Sequence, residues 1–158
     1  MEFPVSLEKI NRFAFAESGV EQAILPASLR TIVQGAFEGC KNLKTVKFNA
    51  GLETLGTDEY LKDGGLRCGV FQESSIERVE LPTTLKRIEH CTFMKCHNLK
   101  SIQLPERLEY IGKLCFEESA LESIILPDAL KIIEESTFYE CESLKSVVFP
   151  NALEKIDL

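Results

Sequence analysis

No run of 18 apolar residues occurs anywhere in the 158-residue chain, so no segment has the make-up of a membrane-spanning helix. Basic residues are scarce as well: 18 Lys and Arg against 25 Asp and Glu leave a net charge of −7. Nucleic acids and anionic membranes reward clustered cations, so neither is expected as a partner. The opening Met1-Glu2-Phe3-Pro4 lacks the basic region and apolar core of a secretory signal. A cytoplasmic location is one expectation on that ground, and a trimmed upstream signal is the alternative. The chain has no glycine-rich phosphate loop and no Ser nucleophile elbow. No motif places an Asp or Asn to orient a Cys–His pair. The expectation is a protein that is not an enzyme and needs no cofactor. Disorder is excluded too, because 44% of the residues are hydrophobic and the length suits a single domain.

What the chain does contain is one pattern written six times. Leu25-Pro26-Ala27-Ser28-Leu29-Arg30-Thr31-Ile32 leads into Ala36-Phe37-Glu38-Gly39-Cys40 and then Leu43-Lys44-Thr45-Val46-Lys47-Phe48. The copies align on Pro4, Pro26, Pro82, Pro105, Pro127 and Pro150, with Asn49 where a further proline would fall. The spacings are 22, 23, 33, 23, 22 and 23 residues. Such a period marks a solenoid, whose coils bury their apolar faces only by stacking on one another. The irregular spacing locates an insertion in coil three, where Phe71 follows Leu52 by 19 residues instead of 8, leaving 19 − 8 = 11 extra residues within about 57–68. After Pro150 only Leu153 and Ile156 continue the pattern, so the chain holds about six and a half coils.

Within each coil, Leu-x-x-Ile-x-Leu alternates like a strand with one buried face, and the proline after it, lacking a ladder donor, ends it. A second short strand, Leu-x-x-Ile, follows, and Ala-Phe-x-x-Cys has the spacing of a single helical turn with its ring in the core. About eight apolar side chains per coil, at roughly 1.5–3 kcal/mol each, do not offset an ordering cost of roughly 1.5 kcal/mol per residue in one coil alone. With parallel strands about 4.8 Å apart, the stack is a rod on the order of 30 Å long.

These copies resemble the BspA-like class of leucine-rich repeats, with its Leu-Pro-x-x-Leu-x-x-Ile…Ala-Phe-x-x-Cys-x-x-Leu pattern, over all of the chain but the insertion. The resemblance implies an α/β leucine-rich-repeat solenoid, strand-rich and right-handed, with a parallel sheet on its concave side. It also implies a surface or secreted protein used for adhesion and protein binding.

Alternate copies differ in two ways. Odd coils close on Phe-x-x-Ser (Ser18, Ser74, Ser119) and even ones on Phe-x-x-Cys (Cys40, Cys96, Cys141), so the building unit is a pair of coils. Charge alternates along two register positions, as Glu21, Lys44, Glu77, Lys100, Glu122, Lys145 and as Glu8, Arg30, Glu53, Lys86, Glu109, Lys131, Glu154. In a parallel stack these form ladders of opposite sign that specify register more than they stabilise.

The repeat cysteines are expected as small buried side chains. Cys40 and Cys96 lie two coils apart, about 10 Å, and a disulfide needs Cα atoms within about 7 Å. No pairing among Cys68, Cys91 and Cys115 is indicated, and free thiols at repeat positions fit a reducing compartment or an anaerobic source. His90-Cys91-Thr92-Phe93-Met94-Lys95-Cys96-His97 is rich in ligand types, but its spacing is not that of a zinc site. The reading taken is a surface histidine beside a core cysteine, with no metal.

Two surfaces are candidates for binding a protein partner. One is the outward side of the sheet, carrying Gln22, Thr45, Lys47, Arg78, Glu80, Ser101, Gln103, Ser123, Ile125 and Val148. No aromatic lies on it, which disfavours a carbohydrate site. The other is the insertion, with Tyr60, Leu61, Leu66 and Arg67 around Gly64-Gly65. Loops that break a repeat often carry function, although a neutral excursion costs little. Three function classes follow: a recognition or adhesion module, a structural segment of a longer repeat protein, and, remotely, a metal- or thiol-dependent enzyme. Apolar residues in the last coil (Leu144, Val147, Phe149, Leu153, Ile156) further suggest a homodimer joined through the C-terminal end.

Overall fold

The computed structural model describes residues 1–49, 51–57 and 69–157. Each coil has three sides. The first carries the longer strands β2 (Gln22–Leu25), β4 (Thr45–Phe48), β6 (Arg78–Glu80), β9 (Ser123–Ile125) and β11 (Ser146–Val148). The second carries two-residue strands: β1 (Lys9–Ile10), β3 (Thr31–Ile32), β5 (Thr54–Leu55), β7 (Arg87–Ile88), β8 (Tyr110–Ile111), β10 (Ile132–Ile133) and β12 (Lys155–Ile156). All pairings between these strands are parallel and in the register of the repeat, as in Gln22↔Thr45↔Arg78 and Ser123↔Ser146.

A tight turn joins the two strand sides, with the proline carbonyl accepting from the leucine three residues on, as in Leu29 N–H to Pro26 at 3.1 Å and Leu108 N–H to Pro105 at 3.0 Å. Proline suits the start of that turn because it withdraws a donor where the ladder stops. Asn49, which replaces it once, uses its N–H to extend the ladder to Leu25 C=O at 3.0 Å.

The third side corrects the expected helical turn: among the described residues it holds no helix. Residues two before and two after the ring adopt positive φ in coil after coil, including Phe13 and Glu17, Cys91 and Lys95, Leu114 and Glu118, and Ser136 and Glu140. From Phe15 to Phe116 the N–H of the ring residue reaches the next coil, as in Phe71 to Thr92 C=O at 2.9 Å and Phe93 to Cys115 C=O at 2.8 Å. Intervening N–H groups close three-residue turns within their own coil, such as Ser74 to Phe71 C=O at 3.0 Å. A left-handed residue other than glycine costs about 1–2 kcal/mol. Here that cost is offset because the donors a helix would turn inward are spent between coils. Coil two places Gly35 and Gly39 at these two positions, and a Cβ on Gly35 would strike the Phe13 ring.

Inside the stack the phenylalanines form a spine. Phe15, Phe37, Phe71, Phe93, Phe116 and Phe138 stack in turn with centroids 5.2, 5.6, 5.7, 5.6 and 5.8 Å apart. Such pairs add about 0.5–1.5 kcal/mol each beyond burial. Phe37, Phe71, Phe93 and Phe116 are fully buried. Phe138, expected in the core with them, is half-buried; among the described residues its one stacked ring is Phe116.

The pairing of odd and even coils has a physical basis. Cys40 donates to Phe15 C=O at 3.0 Å and lies 3.6 Å from the Ser18 hydroxyl. Cys96 repeats this with Phe71 and Ser74 at 3.2 and 3.7 Å, and Cys141 with Phe116 and Ser119 at 2.9 and 3.5 Å. Each even coil's thiol thus satisfies polar groups of the odd coil before it. The charge ladders also pair across coils: Lys44 with Glu77 at 3.7 Å, Lys100 with Glu122 at 3.6 Å, Lys86 with Glu53 at 3.1 Å and Lys131 with Glu154 at 2.8 Å. All are exposed, so each is worth about 0–1 kcal/mol.

Thr57 belongs to coil three itself. Its hydroxyl donates to Gln34 Oε1 at 2.6 Å, and its carbonyl accepts from Gln34 Nε2. On the far side Gly69 C=O accepts from Gly35 N–H at 3.1 Å, so Gly56-Thr57 and Gly69-Val70 continue the register of coil two. The insertion is therefore the 11 residues 58–68. A Cβ on Gly69 would collide with the Cys91 carbonyl, which accounts for glycine there.

Candidate functional site

Period-two alternation points one set of strand side chains into the core and the other outward. Ala23, Leu25, Val46, Phe48, Val79 and Ile124 are buried accordingly. The outward positions match the sequence reading: Gln22, Lys47, Arg78, Glu80, Ser101, Gln103, Ser123, Ile125 and Val148 are exposed, and Thr45 is half-buried. Tyr60, Leu61, Leu66 and Arg67 lie outside the described residues.

The outer face divides in two. Over β2, β4 and β6 the ladder is continuous, and register sets Ile24 beside Lys47 and Lys47 beside Glu80. Glu80 takes Lys47 at 3.3 Å and Arg78 at 3.1 Å, so both outward cations of this half are already paired, on one shared carboxylate. Over coils four to six the outward residues are Ser101, Gln103, Ser123, Ile125, Ser146 and Val148, all uncharged. Ile125 is 69% exposed, Val148 54% and the adjoining Phe149 51%.

Between the halves the ladder is open. Ser101–104 occupies the strand position of coil four, yet it pairs with neither β6 nor β9. Among the described residues its backbone N–H and C=O groups make no backbone hydrogen bond to either neighbour. Contact resumes just before it, where Glu122 N–H donates to Lys100 C=O at 2.9 Å. A groove flanks the open segment on each side. The larger, about 980 Å³, runs across coils four to six and includes Ser101, Gln103, Ile125, Val148 and Phe149 in its walls. The smaller, about 560 Å³, lies toward β6 beside Arg78, Glu80 and Thr83. The walls of the larger groove hold no cationic residue, and its charged groups are Glu106 and Asp128.

Sequence reasoning did not place Phe149 on this face, and it did not find Glu106, Asp128 or the open segment. Phe149 occupies the position of Leu25 and Phe48, which are buried, so alternation assigns it inward. Glu106 and Asp128 follow the prolines and belong to no repeated polar position. Ser101-Ile102-Gln103-Leu104 carries the same alternation as paired strands do, and nothing in it announces an opening.

In the His/Cys stretch His97 stands exposed beside the buried Cys96, as the sequence reading has it. His90 is buried: its Nδ1 accepts from Lys113 N–H at 2.9 Å and its ring meets Tyr110 edge-on at 6.2 Å. Gly112 leaves the room, since a Cβ there would press on the His90 ring and backbone. Cys91 and Cys96 are buried. Burial pushes the Cys96 thiol from its ordinary 9.0 up to about 12, against the opposing hydrogen bond from Ser74. Burial also pushes Cys115 well up. Protonated, enclosed thiols are poor nucleophiles and poor ligands.

The pattern of the BspA type leucine rich repeat region matches residues 1–62 and 65–158 in six copies. The chain belongs to this leucine-rich repeat family. Solved structures share its fold. A leucine-rich repeat protein from Bacteroides ovatus is 24% identical with a TM-score of 0.68, covering 99% of this chain and 47% of its own. The Treponema pallidum leucine-rich repeat protein is 22% identical with a TM-score of 0.58, covering 87% and 73%. A leucine rich cell surface protein from Faecalibacterium prausnitzii is 19% identical with a TM-score of 0.50, covering 92% and 52%. The chain thus spans about half the length of the first and third of these relatives. No curated protein matches it.

Proposed function

We propose that this repeat module acts by binding a protein, without catalysis, and that it does so on the outer sheet face over coils four to six. The observation that carries the reading is the uncharged, partly apolar face with an open ladder beside it. The half over β2, β4 and β6, by contrast, has already paired its charges. A role in recognition or adhesion at the cell surface, or after secretion, is part of the proposal. Membership of the family supports it, as does the naming of the F. prausnitzii relative as a cell surface protein. A photo-crosslinking side chain placed at Gln103 should yield a discrete protein adduct in the native setting, and one placed at Gln22 should not. Equal adducts from both positions, or none from Gln103, would reject the site.

A further inference from the structure

We infer that the groove over coils four to six takes an extended peptide segment in which an arginine or lysine stands close to apolar side chains. This rests on the outer face being the binding site and names the partner that its chemistry fits. Three features of the groove point the same way. Ile125, Val148 and Phe149 present exposed apolar surface in a row across adjacent coils, with Ile125 opposite Val148 in register. Glu106 and Asp128 sit in the same walls with no cationic partner among the described residues, and no Lys, Arg or His lines the groove to neutralise them. Among the described residues the backbone carbonyls of Ser101, Ile102 and Gln103 accept no backbone hydrogen bond. In a parallel stack such groups point along the rod, into the gaps between coils.

Two carboxylates and a set of free carbonyls make an acceptor-rich wall beside an apolar floor. A guanidinium offers five donors in a fixed fork and an ammonium three, so a cationic side chain fits the wall while its apolar neighbours cover the floor. Anionic ligands are disfavoured by the same carboxylates. The reach is short. Three coils about 4.8 Å apart span about 10 Å, the length of about three extended residues. The contact is therefore a motif of one cation and one or two aliphatic residues within a longer extended strand. The half over β2, β4 and β6 cannot take the same motif, since Lys47 and Arg78 stand there.

The test uses the whole chain and two fluorescein-labelled peptides, Gly-Ser-Arg-Val-Ile-Arg-Ser-Gly and its counterpart with Glu for both Arg, followed by fluorescence polarisation. The arginine peptide should bind about tenfold more tightly than the glutamate one, on the scale of two or so exposed charge pairs. Glu106→Gln with Asp128→Asn should reduce that preference by about fivefold or more. The same charge change made elsewhere, Glu8→Gln with Glu109→Gln, should leave it unchanged. Ile125→Ser with Val148→Ser should weaken both peptides. Equal binding of the two peptides, binding of neither, or equal loss in the two charge-altered variants would overturn the inference. If the Gln103 crosslink still captures a protein when the peptides fail, the site stands and only the partner chemistry is wrong. If both fail, the site reading falls with it.

Discussion

Over β2, β4 and β6 the outer face is a closed ladder, with Glu80 held between Lys47 at 3.3 Å and Arg78 at 3.1 Å. Over coils four to six the same backbone register carries serines, Gln103, Ile125 and Val148, and the strand of coil four leaves its neighbours. The repeat builds both halves, and the outward residues alone make them differ. A half that satisfies its own charges has little to offer a partner. Where the outward positions are uncharged and the ladder is open, apolar surface and backbone groups remain for one.

The largest effect asks whether the opening reaches the core. Phe37 lies under the closed half and Phe116 under the open one, both fully buried. Phe37→Ala and Phe116→Ala should each cost about 3–5 kcal/mol in denaturant unfolding. A much smaller cost for Phe116→Ala would mean that the two halves differ throughout their depth.

Alkaline pH gives a second probe beneath coil four. Cys96 holds its proton from its ordinary 9.0 up to about 12 in the folded chain. The stabilisation is fully present below pH 9.0 and is lost as pH rises toward about 12, because the unfolded chain releases the proton first. This one group contributes a slope of up to about 1.4 kcal/mol per pH unit. Cys115 acts in the same direction. Unfolding of the parent and of Cys96→Ala across that range should show a flatter slope in the variant. Identical slopes would indicate that water reaches the thiol and that the opening is not superficial.

The smallest effect concerns the closed half. Removing residues 58–68 joins Thr57 to Gly69 in the register that Gln34 and Gly35 hold in coil two. Shedding an excursion changes loop entropy by about 1 kcal/mol or less, so calorimetry should still show one cooperative melt. Loss of the folded state would show that the insertion is needed to close this half. Capture at Gln103 should persist in the deletion; its disappearance would move the binding site to the insertion.

Much of this was legible in the residues. The pairs Gln22↔Thr45↔Arg78 and Ile125↔Val148 follow from the proline spacing and the alternation, as does burial of Leu29, Ile32, Phe37 and Leu43. The corner was misread because Ala-Phe-x-x-Cys has helical spacing, and local spacing does not reveal that the next coil's carbonyls compete for the same N–H groups. The burial of His90 was not legible because its pocket is made by Gly112 and Lys113, residues of another coil.

By itself the sequence determined the number of coils, which residues face inward and which charges stand opposite one another, since these follow from a period repeated along one chain. Only the tertiary structure decided that the corners are left-handed turns, that each even-coil thiol bonds the coil before it, and that the ladder parts at Ser101–104. Those features depend on hydrogen bonds between residues about a coil apart. Whether such a bond forms is set by how neighbouring coils lie against each other, and no single copy of the repeat records that.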